Sequence, residues 1–293
     1  MKRSRFTEEQ ILTLAEWYRE IYSLDESSNI ITSLPTGYNF SLIAGVIAAH
    51  FSKAMFQYVS QDGLLDTFHL LWPGDRNTVV LANPYTMRII ECASSSLNGV
   101  LVDTGGAPLA STRIKQMRSR GIDVREGYGL TETGSLTHFD IEGTDESLGT
   151  VGHARGAVQT SIDTADDKPR IVLCNAIVGG EIRPAGRPVA PSDKFITDDL
   201  GEIRTGRLRI LGRASDCSVR GYWPRDILDL IGPQLRRTAA KVSQPDEESV
   251  HIILQDEFSE NRLEAIQNTV LDFLGILPQI GFATGLTYSL KLI

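Results

Sequence analysis

Tyr128-Gly129-Leu130-Thr131-Glu132 places an aromatic ring, a glycine, a hydroxyl and a carboxylate on one short stretch of chain. The ring can stack on a base, the glycine lets a backbone come close, and the hydroxyl can hydrogen-bond a phosphate. The carboxylate can hold Mg²⁺, which takes one or two carboxylates together with phosphate oxygens. Ile122 to Val124 reads as a short buried strand that delivers the group, with a loop rather than a helix predicted after it. Alone, the stretch is equally compatible with an ordinary turn.

Its neighbours point further. Upstream stands Asp103-Thr104-Gly105-Gly106-Ala107-Pro108-Leu109, again a strand, a glycine turn and a helix start. Downstream lie Thr197-Asp198-Asp199-Leu200-Gly201 and Leu211-Gly212-Arg213-Ala214-Ser215-Asp216. In this order and spacing the four segments resemble the adenylate-forming superfamily, which includes acyl-CoA synthetases, carrier-protein adenylation domains and luciferase. The resemblance extends from about Asn29 to the C-terminus and speaks to family more than to substrate.

The resemblance implies a role for each residue. Tyr128 would stack on adenine beside Gly129 and the Gly105-Gly106-Ala107 turn, Thr131 would contact the α-phosphate, and Glu132 would hold the metal. Asp199 would take the ribose hydroxyls and Arg213 would brace the ribose. Leu286-Thr287-Tyr288-Ser289-Leu290-Lys291 resembles the family's Leu-Thr-x-Ser-Gly-Lys, with Leu290 in place of glycine. Lys291 would then lie between the substrate carboxylate and the α-phosphate; a solvated lysine on an edge strand is the rival reading. Leu34-Pro35-Thr36-Gly37-Tyr38-Asn39-Phe40 resembles the substrate segment of aryl-acid adenylation domains, with Tyr38 in place of a histidine. Tyr38, Asn39, Phe40 and Gly127 are the expected acid-binding residues. A neutral amide at Asn39 would pair a substrate ammonium poorly, which favours an aryl acid; Asn39 as a helix cap is the alternative.

The resemblance therefore implies ATP and Mg²⁺ as cofactors, a small carboxylic acid as substrate, and a phosphopantetheinyl carrier protein or CoA as thiol acceptor. Activation of two approaching anions is mainly positioning and charge neutralisation. The family's Ser/Thr/Gly phosphate loop and following lysine would precede the first helix, and no such stretch occurs here; the sequence reads as N-terminally truncated. Arg113 or Lys115 are candidate substitutes for the phosphates. The hinge position falls on Ser215 or Asp216, about which the C-terminal unit would swing. The alternative is a non-catalytic or split-subunit relative that binds acid, nucleotide or carrier protein, with a homo-oligomer or complementing subunit as partner.

The elements that must position these residues are also legible. Thr7-Glu8-Glu9-Gln10 has the form of a capping box opening a helix with Ile11, Leu14, Ala15 and Tyr18 on one face. A strand at Asn29 to Leu34 precedes a helix through Ser41 to Phe51. Strands near Ala54 to Val59, Thr78 to Ala82 and Gly99 to Asp103 alternate with helices near Leu64 to Leu71, Pro84 to Ser94 and Ser111 to Arg120. That alternation predicts an α/β fold with a mostly parallel, covered sheet, whose ligands bind at the carboxyl ends of the strands.

Val158 to Ile162, Arg170 to Cys174, Gly180 to Arg183 and a hairpin over Ile203 to Leu211 predict a small β-barrel-like sheet. Strands at Thr238 to Val242 and Val250 to Gln255, with a helix from Ser259 to Leu274, predict a compact C-terminal α+β domain. The expected boundaries are 1–148, 149–213 and 214–293.

Composition narrows the classes. The chain has 293 residues, 41% hydrophobic and 23% charged, as for a globular protein with ample core. A net charge of -8 and the lack of a basic stripe argue against nucleic acid as partner. Cys92, Cys174 and Cys217 have neither metal nor redox spacing, and the absence of an apolar leader or span predicts a cytoplasmic protein without a membrane partner.

Overall fold

A computed structural model describes residues 4–60, 63, 77–92, 97, 99–181, 194–235, 238–247, 249–254, 259–275 and 287–291. The helix expected over Leu64 to Leu71 lies outside them. After strand β1 (Ser4–Arg5), helix α1 (Glu8–Ile21) starts at the capping box. Thr7 Oγ1 accepts the Gln10 amide at 3.2 Å, Gln10 Oε1 accepts the Thr7 amide at 3.0 Å, and Leu14, Ala15 and Tyr18 are buried.

The parallel sheet is built from β2 (Asn29–Thr32), β3 (Met55–Tyr58), β4 (Thr78–Ala82), β5 (Leu101–Thr104) and β6 (Asp123–Tyr128), in the order β3-β2-β4-β5-β6. Two short antiparallel strands, β7 (His138–Phe139) and β8 (His153–Ala154), extend it. Both faces are covered, as continuous apolar runs require. Ile30, Val79 and Leu81 pack with Leu14 and Tyr18 on one side. On the other, Ile31, Val80, Val102 and Val124 meet Met87 and Ile90 of α3 (Met87–Cys92) and Ile114 and Met117 of α4 (Ser111–Arg118).

Two local expectations are corrected. The helix predicted over Ser41 to Phe51 begins as a π-helical run, Phe40–Ile47, and becomes α-helical only over α2 (Ala48–Ser52). The loop predicted after Tyr128-Gly129 contains a turn of 3₁₀-helix, Thr131–Thr133.

The antiparallel sheet contains β9 (Gln159–Asp163), β10 (Arg170–Cys174), β12 (Lys194–Arg204) and β13 (Arg207–Arg213), in the order β13-β12-β10-β9. Strand β11 (Gly180–Glu181) does not join it. Both edges of β10 are taken by β9 and β12, and β11 pairs instead with β1.

Beyond Arg213, strands β14 (Ala240–Ser243), β15 (Ser249–Leu254) and β16 (Thr287–Lys291) form a three-stranded antiparallel sheet accompanied by α6 (Glu260–Leu274). A further helix, α5 (Pro224–Leu235), was not expected from sequence. It opens with proline where a missing amide costs nothing, and Asp226 Oδ2 accepts the Trp223 amide at 2.8 Å. Ile227, Leu228, Ile231 and Leu235 form its buried stripe, while Gly232-Pro233 near its end disguises the pattern. Among the described residues, no helix is long and apolar enough to cross a membrane.

Helix α5 is held to the parallel sheet by buried charge. Arg225 donates through Nη1 and Nη2 to the two oxygens of Glu126 on β6, each at 3.3 Å, and to the Leu109 carbonyl at 3.1 Å. One turn on, Asp229 accepts the Ser111 amide at 2.8 Å at the start of α4, where the helix dipole favours an anion. The side chains of Arg225 and Glu126 are 1% and 4% exposed, so breaking the pair leaves a charge in a dry site. Arg225→Met alone should cost about 3–5 kcal/mol. Adding Glu126→Gln, which keeps the acceptor for the Leu109 amide, should recover most of that loss. Urea denaturation at pH 7 checks this, and a double variant no more stable than the single one would contradict it.

Candidate functional site

A cleft of about 410 Å³ opens at the carboxyl end of β6. Tyr128 and Glu126 from β6, the Gly106-Ala107-Pro108 turn after β5, Asp199 and Arg213 from the β12–β13 hairpin, and all four residues of β14 line it. Carboxyl ends of parallel strands are where loops diverge and ligands of such sheets sit.

Three sequence-predicted residues meet there. The Tyr128 hydroxyl donates to Asp199 Oδ2 at 2.8 Å, and Arg213 Nη1 lies 2.7 Å from Asp199 Oδ1. Asp199 and Arg213 are cross-strand partners, so the pairing of β12 with β13 sets their approach. Asp199 and Tyr128 are buried, whereas the Arg213 side chain is 58% exposed. Burial, and then the Asp199 charge, raise the Tyr128 phenol well above its ordinary range and keep it a donor. Part of the ring packs against Val151, Ile171 and Leu208; the rest forms cleft wall.

Gly129 also lines the cleft, and a side chain there would overlap the Ser135 carbonyl and the Leu136 amide. This close approach turns the chain sharply after Tyr128. Gly106 and Gly127 line the cleft as well, while Gly105 sits beside the Phe40 ring and donates its amide to the Ala82 carbonyl at 3.2 Å.

Other expected site residues lie around the cleft rather than on its wall. Thr131 is exposed in the 3₁₀ turn, and the Glu132 carbonyl accepts the Gly179 amide at 2.7 Å. Asn39 does not cap the following helix; its Nδ2 donates to the Thr131 carbonyl at 2.9 Å and ties the Tyr38-Asn39-Phe40 segment to the 3₁₀ turn. Tyr38 is exposed, and Phe40 packs toward Tyr18. Lys291 ends β16, in register with Ser249, on the outer edge of a sheet whose opposite edge, β14, lines the cleft.

The expectation for Arg113 and Lys115 is corrected. Arg113 is buried and paired with Glu91 at 2.5 Å, and Lys115 pairs with Asp145 at 2.9 Å; neither lines the cleft. At the hinge position, Asp216 is buried and accepts the Arg213 amide at 2.7 Å and the Gln244 amide at 2.9 Å, while Ser215 is exposed. Among the described residues, no group of three or more His, Cys, Asp or Glu is placed to hold a metal. A single carboxylate such as Glu132 remains sufficient for Mg²⁺ when phosphates supply the other ligands.

Sequence reasoning missed Glu126, Arg225, Lys241 and the carboxyl of Asp103. Asp103 is an acid within an apolar strand, which was a readable signal. It is buried, accepts the Tyr22 hydroxyl through Oδ2, and has no partner for Oδ1 among the described residues. A Cβ on Gly127 would lie 3.1 Å from that oxygen, so the missing side chain makes room for the carboxyl. Burial pushes the Asp103 pKa up to about 7, against smaller lowering by the Tyr22 hydrogen bond and Arg125.

The raised value means that the stabilising, protonated form is fully present below the unfolded pKa near 3.8 and lost as pH rises toward 7. Buried His138, lowered to about 3 by burial and by His153, runs the other way and loses stability as pH falls below 6.5. In a comparison of wild type with Asp103→Asn, the His138 contribution cancels. The Asn variant should gain on wild type between pH 4 and pH 7, by at most about 4 kcal/mol. Urea unfolding across that range tests it; a pH-independent difference would contradict the buried, neutral acid.

A family model described as AMP-binding enzyme matches residues 6–192. A 2-succinylbenzoate–CoA ligase from Listeria monocytogenes is 25% identical over 226 residues, covering 72% of this chain and 48% of that protein. The chain thus spans about half the length of the curated relative it matches. The anthranilate CoA ligase AuaEII in complex with anthranoyl-AMP superposes with a TM-score of 0.72 at 17% identity, over 89% of this chain and 55% of its own. The Bacillus subtilis O-succinylbenzoate coenzyme A synthetase in complex with AMP gives 0.67 at 18% identity, over 90% and 58%. These superpositions establish a shared fold.

Proposed function

The chain belongs to the AMP-binding enzyme family, and on that premise we propose that its cleft holds ATP while a carboxylic acid is activated as its acyl-AMP. The observation that carries the proposal is the meeting of Tyr128, Asp199 and Arg213 on one wall. The Tyr128 ring offers a surface for adenine. Asp199, a carboxylate with about four acceptor positions, can take ribose hydroxyls while it keeps Tyr128 and Arg213. Thr131, just beyond the cleft wall, would contact the α-phosphate, and Glu132 would hold Mg²⁺, which would supply positive charge to neutralise the phosphates.

The acid is an aryl acid, delivered afterwards to the thiol of CoA or of a phosphopantetheinyl carrier protein. Two relatives are named for 2-succinylbenzoate and anthranilate, both aromatic carboxylates, and a third is an adenylation–carrier pair, McyG A-PCP, complexed with phenylalanyl-adenylate. Asn39 gives one Nδ2 hydrogen to Thr131, which leaves its second N–H and its Oδ1 for contact with the acid. Lys291 neutralises the carboxylate and α-phosphate after the C-terminal sheet turns about Ser215-Asp216. The turn is needed because β16 lies two strand spacings, about 10 Å, beyond β14.

Pyrophosphate release with a panel of benzoates, salicylates and amino acids tests the reading. An aryl acid should support release, and Tyr128→Ala should weaken AMP binding on the order of tenfold. Lys291→Ala should abolish release yet leave AMP affinity intact. Nucleotide binding with no release by any acid would assign the chain a binding role, with catalysis completed by another polypeptide; no nucleotide binding at all would refute the proposal.

A further inference from the structure

Among the described residues, six charged side chains line the cleft: Glu126, Asp199, Asp216, Arg213, Arg225 and Lys241. Five are committed to the protein itself. Arg225 holds Glu126, Arg213 holds Asp199, and Asp216 caps two backbone amides. Lys241 is different. It stands exposed on β14, the edge strand of the C-terminal sheet, and has no ion pair or hydrogen bond among the described residues.

In the arrangement described, the wall that carries Lys241 is anchored by two contacts. Asp216 Oδ1 accepts the Gln244 amide just past the end of β14, and the Cys217 amide donates to the Gln244 carbonyl at 2.7 Å. Helix α5, packed against β14, is anchored to the parallel sheet through Arg225 and Glu126. An exposed ammonium on the wall of a cleft whose other described charges are paired within the protein is suited to an anion brought by the ligand. The same cleft is lined by Gly106 and Ala107, which are exposed at the turn and whose amides make no backbone hydrogen bond among the described residues.

We propose that Lys241 is a phosphate-binding residue of the cleft, contacting a phosphate group other than the one esterified in AMP. The inference rests on the nucleotide reading of the cleft. Two ligands carry the required chemistry: the β,γ-diphosphate of ATP and the phosphates of CoA. Lysine acts on either as a compact point charge, without the two-pronged geometry of arginine.

Calorimetric titration of the whole chain with ATP, AMP and CoA, each with Mg²⁺, separates the outcomes. Lys241→Gln should weaken ATP or CoA about tenfold, with AMP affinity unchanged, and Lys241→Arg should restore most of the loss. Loss confined to ATP identifies the nucleotide's terminal phosphates as the ligand, and loss confined to CoA identifies the thiol acceptor. Unchanged affinity for both, or equal weakening of AMP, would overturn the role of Lys241 while leaving the nucleotide reading intact. A wild-type chain that binds none of the three would overturn both.

Discussion

The Asp199 carboxylate lies nearly dry between a phenol and a guanidinium, and the site depends on that placement. Tyr128 ends the last parallel strand of the large sheet; Asp199 and Arg213 face each other across the β12–β13 pair of the antiparallel sheet. One short hydrogen-bonded chain thus joins two sheets of different construction at the mouth of a cleft. A buried carboxylate needs such partners, since desolvation without them would drive it to its neutral form. The Tyr128 hydroxyl and the Arg213 guanidinium hold the Asp199 oxygens in a defined direction.

A second buried pair closes the cleft from the C-terminal side. Arg225 and Glu126, supported by Asp229 at the start of α4, fix α5 and with it the β14 wall. A turn of the C-terminal sheet that brought Lys291 inward would have to separate this pair or carry part of its lining along. Charge separation in a dry site is costly, so the arrangement that places Lys241 on the wall is favoured. The same two residues bond the Leu109 backbone just after the Gly105-Gly106 turn, which ties α5 to the cleft floor.

Much of this was readable from sequence where local chemistry decides the outcome. The Thr7 capping box gave α1, continuous apolar runs gave the parallel sheet, and Thr205-Gly206 gave the β12–β13 hairpin. Tyr128, Asp199 and Arg213 were singled out because their spacing carries a family pattern, and the structure brings the three side chains together. What escaped depends on contacts between segments remote in sequence. Helix α5 was hidden by Gly232-Pro233, although tertiary packing of its apolar stripe overrides that weak propensity. Arg113 looked like a cation available to phosphate and proved to be buried against Glu91, and Asn39 proved to bind the Thr131 carbonyl. Nothing in a linear reading distinguishes Lys241 from other lysines; only the edge position of β14 does.

The most direct test of the cleft is a crystal structure of the chain grown with ATP and Mg²⁺. The account predicts the adenine against the Tyr128 ring, ribose hydroxyls within hydrogen-bonding distance of Asp199, and the Asp199–Arg213 pair retained. Nucleotide bound elsewhere on the molecule, with the Tyr128–Asp199 bond facing an empty cleft, would contradict it.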